Sequence, residues 1–195
     1  MFLKSIRSSI PAFLSTLFFL SQALAQDFAL LDDTRNRVLP LLPKVVGTMQ
    51  QAIKDSGVDG ALPVCKEKAP AMLQEVREQT GWDIRRVSLK TRNTKTGTPD
   101  TWEARQLAEF NIRAAAGMRP DQLEVYEIVT DADNKRFFRY MKALPVGEVC
   151  VVCHGTQENL SVDLKQALDK MYPGDRAIGY QPGQVRGALT VKRPL

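Results

Sequence analysis

Histidine and cysteine are scarce in this chain of 195 residues, which has one histidine, His154, and three cysteines, Cys65, Cys150 and Cys153. No site in it can therefore draw two imidazoles from one chain. Charge of one sign is also in short supply. Lys and Arg number 27 against 22 Asp and Glu, a formal +5, and no cationic stripe with interleaved aromatics is visible. That pattern excludes a nucleic-acid-binding surface, although weak attraction to acidic partners is compatible with it. Repeats and low-complexity tracts are missing. The length suits one compact domain with a real core.

Apolar runs of membrane-spanning length are missing too. The strongest lies at the start: Lys4 and Arg7, then Phe13, Leu14 and Leu17 to Leu20, then Ala23-Leu24-Ala25. A charged start, a short apolar stretch and a small-x-small end form a secretory leader cleaved after Ala25. Pro11, Ser15, Ser21 and Gln22 dilute the stretch below what a membrane span needs. The expected organisation is a signal peptide over 1–25 and a single domain over 26–195. The mature chain is expected to be periplasmic, without a membrane span, and to carry about +3 once Lys4 and Arg7 are gone.

Against this background Cys150-Val151-Val152-Cys153-His154 stands out. A CxxCH run is a c-type haem attachment site. Two thiols add to the two vinyl groups of one haem edge, and the adjoining histidine is placed under the iron as axial ligand. Such attachment occurs outside the cytoplasm, as the leader requires. Two other readings fit the residue types. One is a Cys150–Cys153 redox pair, which normally opens a helix after a strand. The other is a Cys3His zinc site completed by Cys65. With one histidine, the second haem ligand must be a methionine (Met49, Met72, Met118, Met141 or Met171), Cys65, a lysine or nothing.

Cys65 lies in Leu62-Pro63-Val64-Cys65-Lys66-Glu67-Lys68. Pro63 suits the first turn of a helix. Cys65 would then sit near the positive helix end beside Lys66 and Lys68, which favours the thiolate. A small buried core residue is the equal alternative.

Periodicity outlines the rest. Phe28–Ser56 reads as a long amphipathic helix, kinked or divided at Pro40 and Pro43. Gly57–Gly60 reads as a turn, and a helix spans Pro63–Gln79, stopped by Gly81. Trp82–Leu89, Leu123–Thr130, Lys135–Ala143 and Gly187–Lys192 read as strands, with a hairpin loop at Asp131–Asn134. Asp100 and Glu103 form a capping box for a helix to Ala116, and Ser161–Met171 is a short helix. The order gives an α+β fold: an antiparallel sheet with helices on one side and a long N-terminal helix.

The chain resembles a family of extracytoplasmic single-haem c-type proteins, first catalogued as a domain of unknown function, with a PAS-like sensor fold. The matching segments are Val64-Cys65-Lys66 with Ala69-Pro70, Arg85 to Lys90 with Arg92-Asn93, Pro99 to Glu103, Arg139-Tyr140-Met141, Cys150 to Gly155, and Tyr172 to Asp175 with Ala177 to Tyr180 and Gly183. Asn93-Thr94-Lys95 lacks the proline expected of that loop. The resemblance implies a PAS-like antiparallel sheet flanked by helices. It also implies haem c on Cys150 and Cys153, with His154 as one axial ligand and Cys65 as the other.

Arg85, Arg86 and Arg92 could neutralise haem propionates, or be solvated charges. Trp102, Tyr140 and Met141 could line the haem pocket, or be plain core. With both axial positions filled, bond-making catalysis at iron is disfavoured and no other catalytic constellation is visible, so no enzyme is expected. A thiolate ligand favours ferric iron and a low potential. A periplasmic electron carrier is the first expectation. A haem-based redox or small-gas sensor is the second, with Cys65 leaving on reduction. Either needs a protein partner, and haem attachment needs the maturation machinery.

Overall fold

The computed structural model describes residues 13–195, with side chains from Ala25 onward apart from Asp59. Lys4 and Arg7, the charged start of the predicted leader, lie outside the described residues, and of its apolar stretch only backbone is described. Helix α1 spans Phe13–Val38 and α2 spans Leu41–Pro63. The division falls where expected, at Pro40, while Pro43 sits in the first turn of α2, where a missing N–H costs little. The expected turn at Gly57–Gly60 is narrower: only Ser56 and Gly57 leave helical backbone, Gly57 with φ of 71°.

The helix expected to start at Pro63 does not start there. α2 runs through Pro63 into a π-helical turn, Val64–Lys68, and on into α3, Ala69–Thr80. In that turn the Ala69 N–H reaches back five residues to the Val64 carbonyl. Pro70 explains the widening. Its ring would clash with the carbonyl four residues back in a regular helix. Cys65 is therefore inside a continuous helical rod, not at a positive helix end.

β1 is Asp83–Val87, α4 is Thr94–Gly97, α5 is Thr101–Ala115, β2 is Glu124–Thr130 and β3 is Arg136–Pro145. α6 is Val151–His154, α7 is Val162–Met171 and β4 is Val185–Pro194. The strands form one antiparallel sheet in the order β1-β4-β3-β2. β2 and β3 are the expected hairpin, turning at Asn134 with φ of 61°. The fold is α+β with a long N-terminal helix, as the sequence reading has it.

Helices cover both faces of the sheet, not one. Leu31, Val38, Leu41 and Leu73 pack with Ile84, Phe138, Tyr140 and Val191 on one face. Leu107 and Phe110 of α5 pack with Val87, Met141, Ala143 and Ala188 on the other. β3 is buried on both faces, so its sequence does not alternate cleanly. A third apolar cluster joins Leu62 of α2 to Leu164, Leu168, Tyr172 and Cys153, and seats the connection between β3 and β4 on the helical rod.

The buried face under α5 also holds a charged hub. Glu103 is 1% exposed. It accepts hydrogen bonds from Arg85, Arg139, Thr190 and the Asp100 backbone N–H. The last of these is half of the capping box expected from Asp100 and Glu103. Burial acts to raise the Asp100 carboxyl, but the Glu103 backbone N–H and Arg139 outweigh it and hold it below its usual range.

Candidate functional site

The motif Cys150 to His154 occupies a 3-10 turn, Glu148–Cys150, that runs into α6. Residues three and four apart on such a turn share a side. That spacing relates Cys150, Cys153 and His154; of the three, Cys153 packs into the apolar cluster with Leu62 and Leu164, and only His154 lines the cavity described below. Gly155 ends the turn, its N–H bonding to the Val151 carbonyl at 2.8 Å. A Cβ there would stand 2.4 Å from that carbonyl oxygen, so only glycine fits.

A strap from Asp175 to Tyr180 fixes the motif from outside. Gly179 and Tyr180 donate backbone N–H groups to the carbonyls of Gly155 and His154, at 2.7 and 2.9 Å. His154 Nδ1 lies 2.6 Å from the Ala177 carbonyl. A carbonyl can only accept, so Nδ1 carries the proton and Nε2 is left with its lone pair. Burial, and then the charges of Arg186 and Arg92, push the imidazole well below its ordinary value against the pull of Ala177. His154 is thus the neutral tautomer that binds metal through Nε2.

A cavity of about 350 Å³ brings His154 together with Cys65, between the π turn, the end of β1 and the start of β4. Leu73 and Leu144 supply apolar wall, and Tyr172 lines it together with Cys65. Six cations line it, Lys66, Arg77, Arg85, Arg86, Arg92 and Arg186, and among the described residues no carboxylate does. Such a lining selects an anionic ligand.

These cations are held differently. Arg85 donates to both Glu103 oxygens, at 3.0 and 2.8 Å, and Arg92 pairs with buried Asp175 at 2.8 Å. Arg92 also donates to the Cys153 carbonyl at 2.6 Å, so it anchors the motif. The expected propionate role of Arg85 and Arg92 therefore meets committed guanidinium groups. Arg86 is exposed, and among the described residues it has no carboxylate partner. Arg186, which the sequence reading did not single out, places Nε 3.4 Å from His154 Nε2. Its one sequence signal is a cation near the start of β4, just ahead of Gly187-Ala188-Leu189.

Trp102, Tyr140 and Met141 do not line the cavity. Trp102 sits under Arg139 at 4.5 Å and donates to Glu127 at 2.7 Å. Met141 faces α5, on the other side of the sheet. Tyr140 shares the cavity's face but lies four positions before Leu144 along β3, about 13 Å away at strand rise, and bonds Glu124. Tyr140 and Met141 are core residues, and Trp102 packs half-buried at the edge of the core. Among the described residues no three His, Cys, Asp or Glu side chains converge to hold a metal ion. The Cys3His zinc alternative thus lacks its geometry.

The layered architecture is PAS-like: an antiparallel sheet flanked by helices, with the site in the connection before the last strand. The family model described as Tll0287-like matches residues 8–194, and the chain belongs to that family. No curated protein matches it. Among solved structures, the cyanobacterial heme-protein Tll0287 superposes with a TM-score of 0.66 at 20% identity, covering 84% of this chain and 94% of that one. Among the described residues no helix is long and apolar enough to cross a membrane.

Proposed function

We propose that this chain is an exported protein carrying one covalently attached haem c, and that it acts as a periplasmic one-electron carrier. One observation carries the reading. A neutral His154, its Nε2 lone pair facing Arg186 and not a proton of its own, shares a cation-lined, carboxylate-free cavity with Cys65. The haem named for the cyanobacterial relative supports the same cofactor. Haem iron supplies one-electron chemistry when bound. Cys150 and Cys153 would hold the haem through two thioethers, each made by adding S–H across a vinyl group without net oxidation. Ala177 fixes the His154 tautomer, Arg92 holds the Cys153 carbonyl, and Cys65 presents a sulfur ligand from the π turn. Held by His154 and Cys65 together, haem iron would suit electron transfer better than catalysis. A protein redox partner and the haem-maturation machinery are implied.

One feature favours the second reading, a redox or small-gas sensor acting on a partner. Cys65 sits in a π-helical turn, a form frequent at functional sites, between two prolines that cannot donate helix bonds. Such a turn is easier to rearrange than regular helix. Absorption and EPR spectra of wild type and Cys65→Ala, oxidised and reduced, test both readings. Ferric wild type is expected to be low-spin with thiolate character, which the variant loses. A carrier keeps both ligands on reduction and does not take up carbon monoxide; a sensor releases Cys65 and binds it. Matching spectra of the two proteins would exclude Cys65 as a ligand.

A further inference from the structure

Among the described residues, three cations lining the cavity have no carboxylate partner: Lys66, Arg86 and Arg186. Haem with a thiolate ligand brings three anionic groups, two carboxylates and one sulfur. Lys66 adjoins Cys65 in sequence, which leaves two arginines for two carboxylates.

Arg186 is the better built of the pair. Gly187 lets β4 lie close on β1, for a Cβ there would stand 2.3 Å from the Val87 carbonyl oxygen and 3.1 Å from Ser88 Cβ. That approach brings Arg186 Nη1 to Ser88 Oγ at 3.0 Å and to the Lys90 carbonyl at 3.2 Å. The Tyr180 ring lies 5.3 Å from the guanidinium. All these neighbours are neutral. The other charges acting on it, Arg92 and Arg86, are positive. A largely desolvated guanidinium among like charges is unfavourable until an anion joins it.

Building on the haem reading, we propose that Arg186, with Arg86 beside it, is the receptor for the haem carboxylates. That role passes from Arg85 and Arg92, which hold Glu103 and Asp175. The position of Arg186 adds a consequence. In the haem-free chain its Nε lies against His154 Nε2, the nitrogen that must be clear for iron. A carboxylate entering the cavity competes for the guanidinium and frees that nitrogen. Seating of the carboxylates and ligation by His154 are thereby linked.

The test uses the full chain produced with haem-maturation machinery, and resonance Raman spectra of wild type, Arg186→Gln, Arg186→Lys and Arg86→Gln. Arg119→Gln, at an exposed surface pair, is the control. The haem carboxylate-bending bands move with hydrogen bonding to the carboxylates. A downward shift is expected in Arg186→Gln, a smaller one in Arg86→Gln, and none in the control. A haem-loaded Arg186→Gln with wild-type bands overturns this proposal alone. If that variant does not accumulate, Arg186→Lys is read the same way: it keeps the charge but loses the planar fork. An intermediate shift supports the proposal and unmoved bands overturn it. A wild-type chain that never acquires haem overturns the haem reading, and this proposal with it.

Discussion

Replacing Arg92 with methionine is expected to destabilise the protein by roughly 3–5 kcal/mol, the usual cost of breaking a buried ion pair from one side. Both partners are buried, with side-chain exposures of 8% and 7%, so Asp175 would be left as an uncompensated charge. The Cys153 carbonyl would lose its donor as well. Urea denaturation reads the loss as a lower midpoint. A second variant separates the two contributions. Asp175→Asn removes the charge while its oxygen can still accept from the Ala177 N–H, as Asp175 does at 2.8 Å. The double variant Arg92→Met with Asp175→Asn is expected to recover part of the stability but not the full yield of attached haem. A loss under about 1 kcal/mol in Arg92→Met, the scale of exposed pairs, would show that this pair does not secure the motif.

Glu103→Ala is expected to cost a similar roughly 3–5 kcal/mol, a large part of the roughly 5–15 kcal/mol that holds a domain of this kind together. One truncation removes the acceptor shared by Arg85, Arg139, Thr190 and the Asp100 N–H, leaving Arg85 with Asp83 and the Thr98 carbonyl and Arg139 with Asp100. Arg139 Nε already lacks a partner, so without Glu103 this guanidinium keeps Asp100, at 2.8 Å, as its one carboxylate among the described residues. Glu103→Gln, which keeps the shape and part of the hydrogen bonding, should fall between. Acid should act on the same network. The Asp100 carboxyl titrates below its usual range in the folded chain, so its contribution is complete above the unfolded value and is lost as pH falls through the folded one. An Glu103→Ala midpoint within error of wild type would contradict the role given to this hub.

Local signals made much of this fold legible before any coordinates. The capping box at Asp100 and Glu103 and the hairpin turn at Asp131–Asn134 both depend on side chains within four residues of the groups they satisfy. The CxxCH motif is legible for the same reason, since its chemistry is set by spacing. Features that depend on distant packing were not legible. Pro63 reads as a helix start because nothing local reveals that α2 continues through it and relieves Pro70 by widening to a π turn. Tyr140 and Met141 are adjacent in sequence yet face opposite sides of the sheet, and neither reaches the cavity. Among the arginines, sequence could not separate those with buried carboxylates from those without. Asp175 lies 83 residues from Arg92, and His154 lies 32 from Arg186.

The central claim is covalent haem on Cys150 and Cys153, and the intact mass of the denatured chain tests it most directly. The chain is produced with its leader and with haem-maturation machinery, then purified and unfolded in acid before the measurement. The account predicts a species beginning at Gln26 and heavier by one haem, with the haem absorbance remaining on the protein through acid–acetone extraction. The Cys150→Ala, Cys153→Ala double variant should lose both the added mass and the retained absorbance. A folded wild-type chain of unmodified mass, or haem that extracts completely into the solvent, would contradict it.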